Sequence, residues 1–194
     1  MRTSFKILTL LTVLSCSTKD TKTVDQKPLQ DTQTLVNKTN LDKQEKLLLA
    51  NVMTHYFSSP TIKDTFKIVL SGHTIIDSNF EFEIKTNYGL VIHHEIYPSS
   101  YLIGYGLDPN ASETEQAEYI KNRVLTFFEE ENFRQPAIEK DELFDADYSD
   151  LEVWNDIKAD STAVKFISLV GEEGIGHIAY SKKLKRVVMI FSCC

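Results

Sequence analysis

The segment "NFEFEIK", residues 79–85, decides the fold class of this chain. Apolar and charged side chains alternate along it, in the order Phe80, Glu81, Phe82, Glu83, Ile84 and Lys85. Successive side chains of a β-strand point to opposite faces of the sheet, so the alternation predicts a strand with one buried and one solvent-facing side. This pattern is typical of an antiparallel sheet that covers a core with a single face.

The same alternation extends to both sides of this segment. Residues 66–70 predict a strand, and residues 88–96 predict another, with Tyr88, Leu90, Ile92 and Ile96 on one face. Residues 101–105 predict a fourth strand. Three more strands are expected at residues 162–170, 175–180 and 185–191.

Two segments show helical rather than alternating spacing of apolar residues. The first follows Thr39 and contains Leu41, Leu48, Val52, Met53 and Tyr56, ahead of the break at Pro60. The second begins at Ser112 and Glu115, which match a capping box, and is expected to end near Phe133. Its apolar stripe comprises Ala117, Ile120, Val124, Phe127 and Phe128.

The element order is helix, strands, helix, strands, without strict β-α-β alternation. This order indicates an α+β fold, in which a largely antiparallel sheet is packed by two main helices. Neither group of strands buries enough surface alone, so both halves are expected to share one core in a single domain, residues 39–194. Phe82 and Phe127 are expected within that core.

The chain begins with a basic, apolar and then small-residue pattern that predicts a signal peptide over residues 1–15. Arg2 and Lys6 precede an apolar run that is too short to span a bilayer. Val13-Leu14-Ser15-Cys16 resembles the lipobox of bacterial lipoproteins, and the resemblance covers residues 1–16 only. It implies that Cys16 carries lipid, palmitate included, and anchors the chain to a membrane of the cell envelope. An ordinary secretory signal is the alternative.

Residues 16–38 are predicted to form a flexible tether between the lipidated Cys16 and the domain. They are polar, rich in Thr, Lys, Asp and Gln, and show no apolar period. The tether would hold the domain outside the cytoplasm, away from the membrane surface.

The charge of the chain limits its partners. The formal net charge is −7, and removal of Arg2 and Lys6 with the signal peptide would take it to −9. Nucleic acids and anionic lipid head groups are recognised through clustered Lys and Arg, so neither is an expected partner. Membrane attachment would depend on the lipid, and a basic protein surface is the expected partner.

Two clusters were considered as metal sites, and neither is predicted to bind strongly. His93 and Glu95 lie on one face of a strand with Tyr97, where we expect a solvated polar surface, whereas His94 falls on the opposite, apolar face. Zinc would need two further ligands. The spacing from Asp145 to Asp156 is similar to an EF-hand loop, but Asp150 stands where that loop requires glycine.

The adjacent Cys193 and Cys194 allow several interpretations. A vicinal disulfide, an intermolecular bridge and a soft-metal site are possible in an oxidising compartment. The alternative is a strand end whose thiols have no role. No catalytic motif and no phosphate- or dinucleotide-binding glycine loop occurs in the sequence, so no cofactor and no catalytic residue are predicted.

The acidic stretch at residues 139–156 is the candidate binding segment. It contains eight carboxylates and a single basic residue, Lys140, interleaved with large apolar side chains. An acidic rim around aromatic anchors suits recognition of a basic protein. The candidate residues are Asp145, Asp147, Tyr148, Asp150 and Trp154. Alternatively, the aromatic residues only hold the segment on the sheet.

The sequence therefore predicts a membrane-anchored envelope lipoprotein that binds a protein or another ligand without catalysis. An immunity or inhibitor protein against a secreted toxin is a special case of this hypothesis. A metal-dependent envelope hydrolase that uses His93 and Glu95 is the alternative from a different class.

Overall fold

The computed structural model describes residues 46–104, 106–171 and 174–193, and for Cys193 the backbone alone. These residues belong to one compact unit that spans residues 42–194. A second unit, residues 1–41, lies outside the described residues. Within the described ranges, no helix combines the length and the apolar character needed to cross a membrane.

The first half of the domain is a four-stranded antiparallel sheet, here called sheet A. Its strands are β1 (Lys46–Tyr56), β2 (Lys63–Gly72), β3 (Ser78–Lys85) and β4 (Val91–Pro98), and they lie in the order β1-β2-β3-β4. One face of β2 and β3 is fully buried, through Phe66, Ile68, Leu70, Phe80, Phe82 and Ile84. The alternation that predicted these two strands is confirmed.

The second half forms another four-stranded antiparallel sheet, sheet B. Its strands are β5 (Phe133–Arg134), β6 (Lys165–Leu169), β7 (Ile175–Ser181) and β8 (Arg186–Cys193), in the order β5-β6-β7-β8. The three strands predicted for this half are therefore confirmed. The α+β class is also confirmed, with two sheets in place of the single one expected.

Helix α1 (Glu113–Thr126) connects the two sheets and begins at the predicted capping box. The Ser112 side chain accepts a hydrogen bond from the Glu115 amide, and the Glu115 carboxylate accepts one from the Ser112 amide at 2.8 Å. These bonds satisfy two of the amides that a helix start leaves unpaired. The helix ends at Thr126, earlier than expected, and residues 130–132 form a separate 3-10 turn.

One hydrophobic core unites both sheets and α1, as the sequence predicted. Phe66 and Phe82 of sheet A contact Phe166 of sheet B, with ring centroids 5.6 Å apart in each case. Phe127 and Phe128, at the end of α1, pack against the same rings. Phe82 is 1% exposed and Phe127 5%, which confirms the expected burial of both.

A smaller cluster lies on the other face of sheet B. Helix α2 (Leu151–Ala159) contributes Val153, Trp154 and Ile157 to it, and sheet B contributes Ala179 and Ile190. The segment before α2, residues 135–150, crosses this face without regular structure. Sheet B is thus covered on both sides, while the outer face of sheet A is open to solvent.

The helix predicted for residues 41–56 is wrong over the described part, which is strand β1. Half-buried and exposed side chains alternate from Leu49 to Tyr56. The hydropathy of the residues does not follow this alternation of burial, because polar Asn51 and His55 face inward, while Val52 is 57% exposed on the outside. The inward polar groups are satisfied by other parts of the fold. Asn51 bonds to the carbonyl oxygens at the end of α1, and His55 stacks on Phe133 at 4.0 Å.

The predicted faces of β4 are wrong after Ile92. Ile84 pairs with His93 while Lys85 pairs with Val91, so Ile92 is an extra residue, a β-bulge. From this point on, His93, Glu95 and Tyr97 face inward, and Ile96 is 58% exposed. His94 faces outward and contacts Glu81 at 2.8 Å. The expected solvated face is therefore the inner one.

The strand predicted for residues 101–105 is also wrong where the structure describes it. Residues 99–102 form a 3-10 helix that follows Pro98 directly. Leu102 is buried, and Tyr101 stacks on Tyr97 with ring centroids 5.4 Å apart. Tyr105 lies outside the described residues.

Candidate protein-binding groove

Asp145 and Asp147 of the acidic segment lie in an exposed turn. The Asp147 amide donates a 2.9 Å hydrogen bond to the Asp145 carboxylate, and both side chains are exposed. Within the described part of the chain, neither residue forms an ion pair. Both therefore present their negative charge to solvent.

Asp150, the third predicted carboxylate, is the N-cap of α2. Its Oδ1 accepts hydrogen bonds from the amides of Glu152 at 2.9 Å and Val153 at 3.2 Å. A carboxylate here satisfies amides that the helix leaves unpaired and complements the positive end of the helix dipole. Asp150 thus has a structural role, and Asp156 lies within α2, so no EF-hand-like loop connects Asp145 to Asp156.

Trp154 is not available as a binding anchor. It is 5% exposed, packs against Phe144 with ring centroids 5.7 Å apart, and has the Lys158 ammonium 4.4 Å from its ring. Trp154 and Phe144 therefore hold the acidic segment on sheet B, which was the alternative role considered for these aromatic residues.

Tyr148 both packs on sheet B and contributes to the surface. It is half-buried, and its ring centroid is 5.9 Å from that of Phe191 on β8. It also borders a surface groove. Tyr148 is accordingly fixed in position while part of its side chain remains open to solvent.

The groove runs between residues 148–153 and strand β8 and has a volume of about 360 Å³. On one side lie Tyr148, Ser149, Asp150 and Val153, and on the other side Leu184, Arg186, Val187, Val188 and Met189. Four consecutive residues of one strand line it, although neighbouring side chains point to opposite faces. The groove therefore follows the edge of β8. Among the described strands, β8 pairs with β7 alone.

Ion pairs neutralise part of the acidic segment and leave the rest charged. Lys183 pairs with Glu152 at 2.6 Å, and this bond raises the pKa of Lys183. Lys165 contacts Glu142 at 3.4 Å, and beyond the segment Lys182 contacts Asp160. The carboxylates of this segment that pair with no cation within the described ranges are Glu139, Asp141, Asp145, Asp147, Asp150 and Asp156.

His177 lies beneath Phe191, with ring centroids 4.8 Å apart. Burial, and then the positive charge of Lys165, lower its pKa, while Glu142 acts weakly in the opposite direction. Its Nδ1 is buried and has no hydrogen-bond partner among the residues that the structure describes. The lowered pKa favours the neutral ring, which packs on Phe191, the ring that in turn contacts the groove-lining Tyr148.

His93 and Glu95 come together, as the sequence placed them, but beneath sheet A. Their Nε2 and Oε2 atoms are 3.4 Å apart, close enough to attract each other without an aligned hydrogen bond. The contact with His93 keeps the pKa of Glu95 below its usual value against the effect of burial. Burial and the Glu95 charge raise the pKa of Tyr97 to about 12.

This pair supplies too few ligands for a metal centre. Across the described part of the chain, no three His, Cys, Asp or Glu side chains are grouped so that they could hold an ion. His177 lies on the other side of sheet B from the core and does not join His93. His93, Glu95 and Tyr97 form a half-buried row of polar side chains on the inner face of β4.

Sequence reasoning missed the β8 side of the groove, namely Leu184, Arg186, Val187, Val188 and Met189. The available signal was the uncharged run from Val187 to Ser192 in a strand next to a turn rich in lysine. Cys16, Cys194 and the side chain of Cys193 lie outside what the structure describes. No family model, curated protein or solved structure matches this chain.

Proposed function

We propose that this protein is a non-catalytic, protein-binding lipoprotein of the bacterial envelope, anchored through lipid on Cys16. The groove along β8, with the acidic turn beside it, is the binding surface. The partner is a protein with a basic surface. An inhibitor of a secreted basic toxin is one form of this function.

The single observation that carries the proposal is the meeting of an open groove, lined by both apolar and polar residues, with unpaired carboxylates. Met189 is 38% exposed and Leu184 41% exposed within the groove. Asp147 directly precedes Tyr148, which lines the groove, and Asp145 and Asp147 are free of cations among the described residues. An apolar centre with a charged rim is the usual anatomy of a protein interface.

The charge of the acidic turn affects the rate of association more than the affinity. Exposed carboxylates attract a basic partner over roughly the Debye length, about 8–10 Å at physiological salt. Such steering raises the association rate constant and weakens as salt increases. Contacts within the groove would then determine how long the complex persists.

The anchor is tested by fractionation of cells that produce the full chain. Cys16→Ser removes the thiol that would carry the lipid, so the protein should move from the membrane fraction to the soluble envelope fraction. Cys193→Ser serves as the matched control and should leave the distribution unchanged. Unchanged fractionation of Cys16→Ser would exclude the lipid anchor.

The binding surface is tested with a partner cross-linked to the full chain in the envelope and then purified. Asp145→Lys together with Asp147→Lys should lower the association rate constant at least about threefold at low salt, and the effect should shrink at high salt. Glu129→Lys with Glu131→Lys makes the same charge change after α1 and should have little effect. An association rate constant that changes neither in the Asp145/Asp147 variant nor with ionic strength would exclude this surface as the binding site.

A further inference from the structure

We propose that the groove receives an extended segment of the basic partner, which pairs with β8 as an additional strand of sheet B. This inference rests on the proposed function and specifies its mode of binding. The partner segment would contribute main-chain hydrogen bonds to β8, apolar side chains to the groove and Lys or Arg side chains to the acidic turn.

The edge of β8 is protected only in part, by a bulge that follows its groove-lining residues: His177 pairs with Phe191 and Ile178 with Met189, so Ile190 is an extra residue. Unpaired strand edges invite pairing, and proteins block them with charges, prolines, bulges or very short strands. The run from Val187 to Ser192 contains no charge and no proline. β4 lies near β8 but does not pair with it as a strand. The groove lies between β8 and residues 148–153.

The other sheet edges are protected by comparison. β4 carries His93, His94 and Glu95 and ends at Pro98, and it contains the bulge at Ile92. β1 has a bulge between Leu47 and Leu49, and β5 is only two residues long. β8 begins with Arg186 and has its own bulge at Ile190, but its groove-lining part from Val187 to Met189 is uncharged and pairs only with β7 among the described strands.

The walls of the groove suit the side chains of an added strand. Val187 and Val188 are half-buried, and Met189 is exposed enough to be covered further. Tyr148 and Val153 form the opposite wall. Since alternate side chains of an added strand point to the same side, apolar residues at every second position would lie against Tyr148 and Met189.

The charges fix the chemistry of the occupant. Asp147 and Asp145 continue from Tyr148, so the end of the added strand that passes them would carry Lys or Arg. Arg186 is exposed at the β8 start of the groove and pairs with no carboxylate in the described ranges. The occupant is therefore a segment of a foreign protein with Lys or Arg at the end beside Asp145 and Asp147, apolar residues at alternate positions and no positive charge beside Arg186.

The experiment selects binders to the full chain from a phage-displayed library of random 12-residue peptides. We expect enriched peptides to have a basic end and alternating apolar positions. A bound peptide should slow hydrogen exchange at the amides of residues 186–189 at least about tenfold. Failure to enrich any sequence, or protection confined to another surface, would overturn strand addition.

Substitutions in the groove distinguish the contribution of the β8 edge to binding from that of electrostatic attraction. Met189→Glu blocks the apolar contact while it adds negative charge, so weaker binding cannot result from reduced attraction. It should raise the dissociation constant of an enriched peptide at least about tenfold. Val52→Glu, on the exposed face of edge strand β1, is the matched control and should leave binding unchanged. Leu184→Glu, also in the groove, gives a second test if Met189→Glu lowers the melting temperature.

Two further outcomes are decisive. Equal peptide binding by the wild-type chain and by both groove variants would overturn the inference, whereas the proposed function would stand if the partner still responded to Asp145 and Asp147. Sedimentation of the chain as a dimer that Met189→Glu dissociates would show that a second copy occupies the edge, and would overturn the assignment to a foreign segment.

Discussion

Asn51 on β1 donates a 2.9 Å hydrogen bond from its side-chain amide to the carbonyl oxygen of Val124 in the last turn of α1. The same amide also reaches the carbonyl of Leu125 at 3.1 Å. The final carbonyls of a helix have no partner within the helix, so they need hydrogen-bond donors from elsewhere. One polar side chain thus joins the edge of sheet A to the helix that connects the two sheets.

Replacement of Asn51 by Ala should therefore destabilise the fold. The change leaves helix carbonyls without their donor, and we expect a loss of about 1–3 kcal/mol in the free energy of unfolding. Urea denaturation of the full chain measures it. Asn79→Ala, an exposed position on β3, is the matched control and should cost less than about 0.5 kcal/mol. Equal costs would show that the bond to α1 contributes nothing.

The aromatic core provides a larger effect. Phe82 and Phe127 are in contact, with ring centroids 5.4 Å apart, and both are almost fully buried. Each change to Ala should cost about 3–5 kcal/mol, measured by urea denaturation. Tyr88→Ala, at a position 83% exposed, should have little effect. The two Phe changes should not be additive, because the side chains share one cavity. Additive costs would contradict a shared core.

Local patterns predicted the parts of the fold that depend on neighbours in sequence. The alternation in β3 and the capping box at Ser112 and Glu115 depend on residues two or three positions apart. The structure confirms both. The burial of Phe82 was predicted from the alternation in β3, and that of Phe127 from the apolar stripe of α1.

The errors arose where distant contacts override a local pattern. Asn51 and His55 face inward on β1 only because α1 and β5 supply their partners, and hydropathy cannot register that. The bulge at Ile92 moves His93 to the inner face by a single extra residue. The groove depends on which strand lies at the edge of sheet B, a property of the pairing order. The sequence of β8 alone does not show that this strand lies at the edge of the sheet.

The stability of the domain should fall as the pH drops below about 6.5, the ordinary pKa of histidine. Burial and Lys165 lower the pKa of His177 in the folded state, while Glu142 opposes them weakly. The unfolded chain therefore binds the proton first on acidification. The contribution is complete above the unfolded pKa and is lost as the pH falls through the folded one.

His177→Phe should remove this dependence and flatten the curve of unfolding free energy between pH 7 and pH 5. The Phe ring has no proton to bind and preserves the contact with Phe191. Urea denaturation at a series of pH values measures the slope. His73→Phe, at an exposed position in the β2–β3 turn, should leave it unchanged. The same slope in the His177 variant would exclude this histidine as the source.

Asp150 and Asp147 allow the structural and electrostatic roles of the acidic segment to be separated. Asp150 accepts bonds from two amides at the start of α2, whereas the Asp147 side chain lies in an exposed turn. Asp150→Ala should cost about 1 kcal/mol in unfolding free energy because the helix loses its cap. Asp147→Ala, which removes the same charge, should change stability by less than about 0.5 kcal/mol. Similar losses in urea denaturation of the two variants would show that net charge, not capping, determines the effect. A charge-reversal test of binding is therefore cleanest at Asp145 and Asp147, since reversal at Asp150 would also disturb α2 and the groove wall it supports.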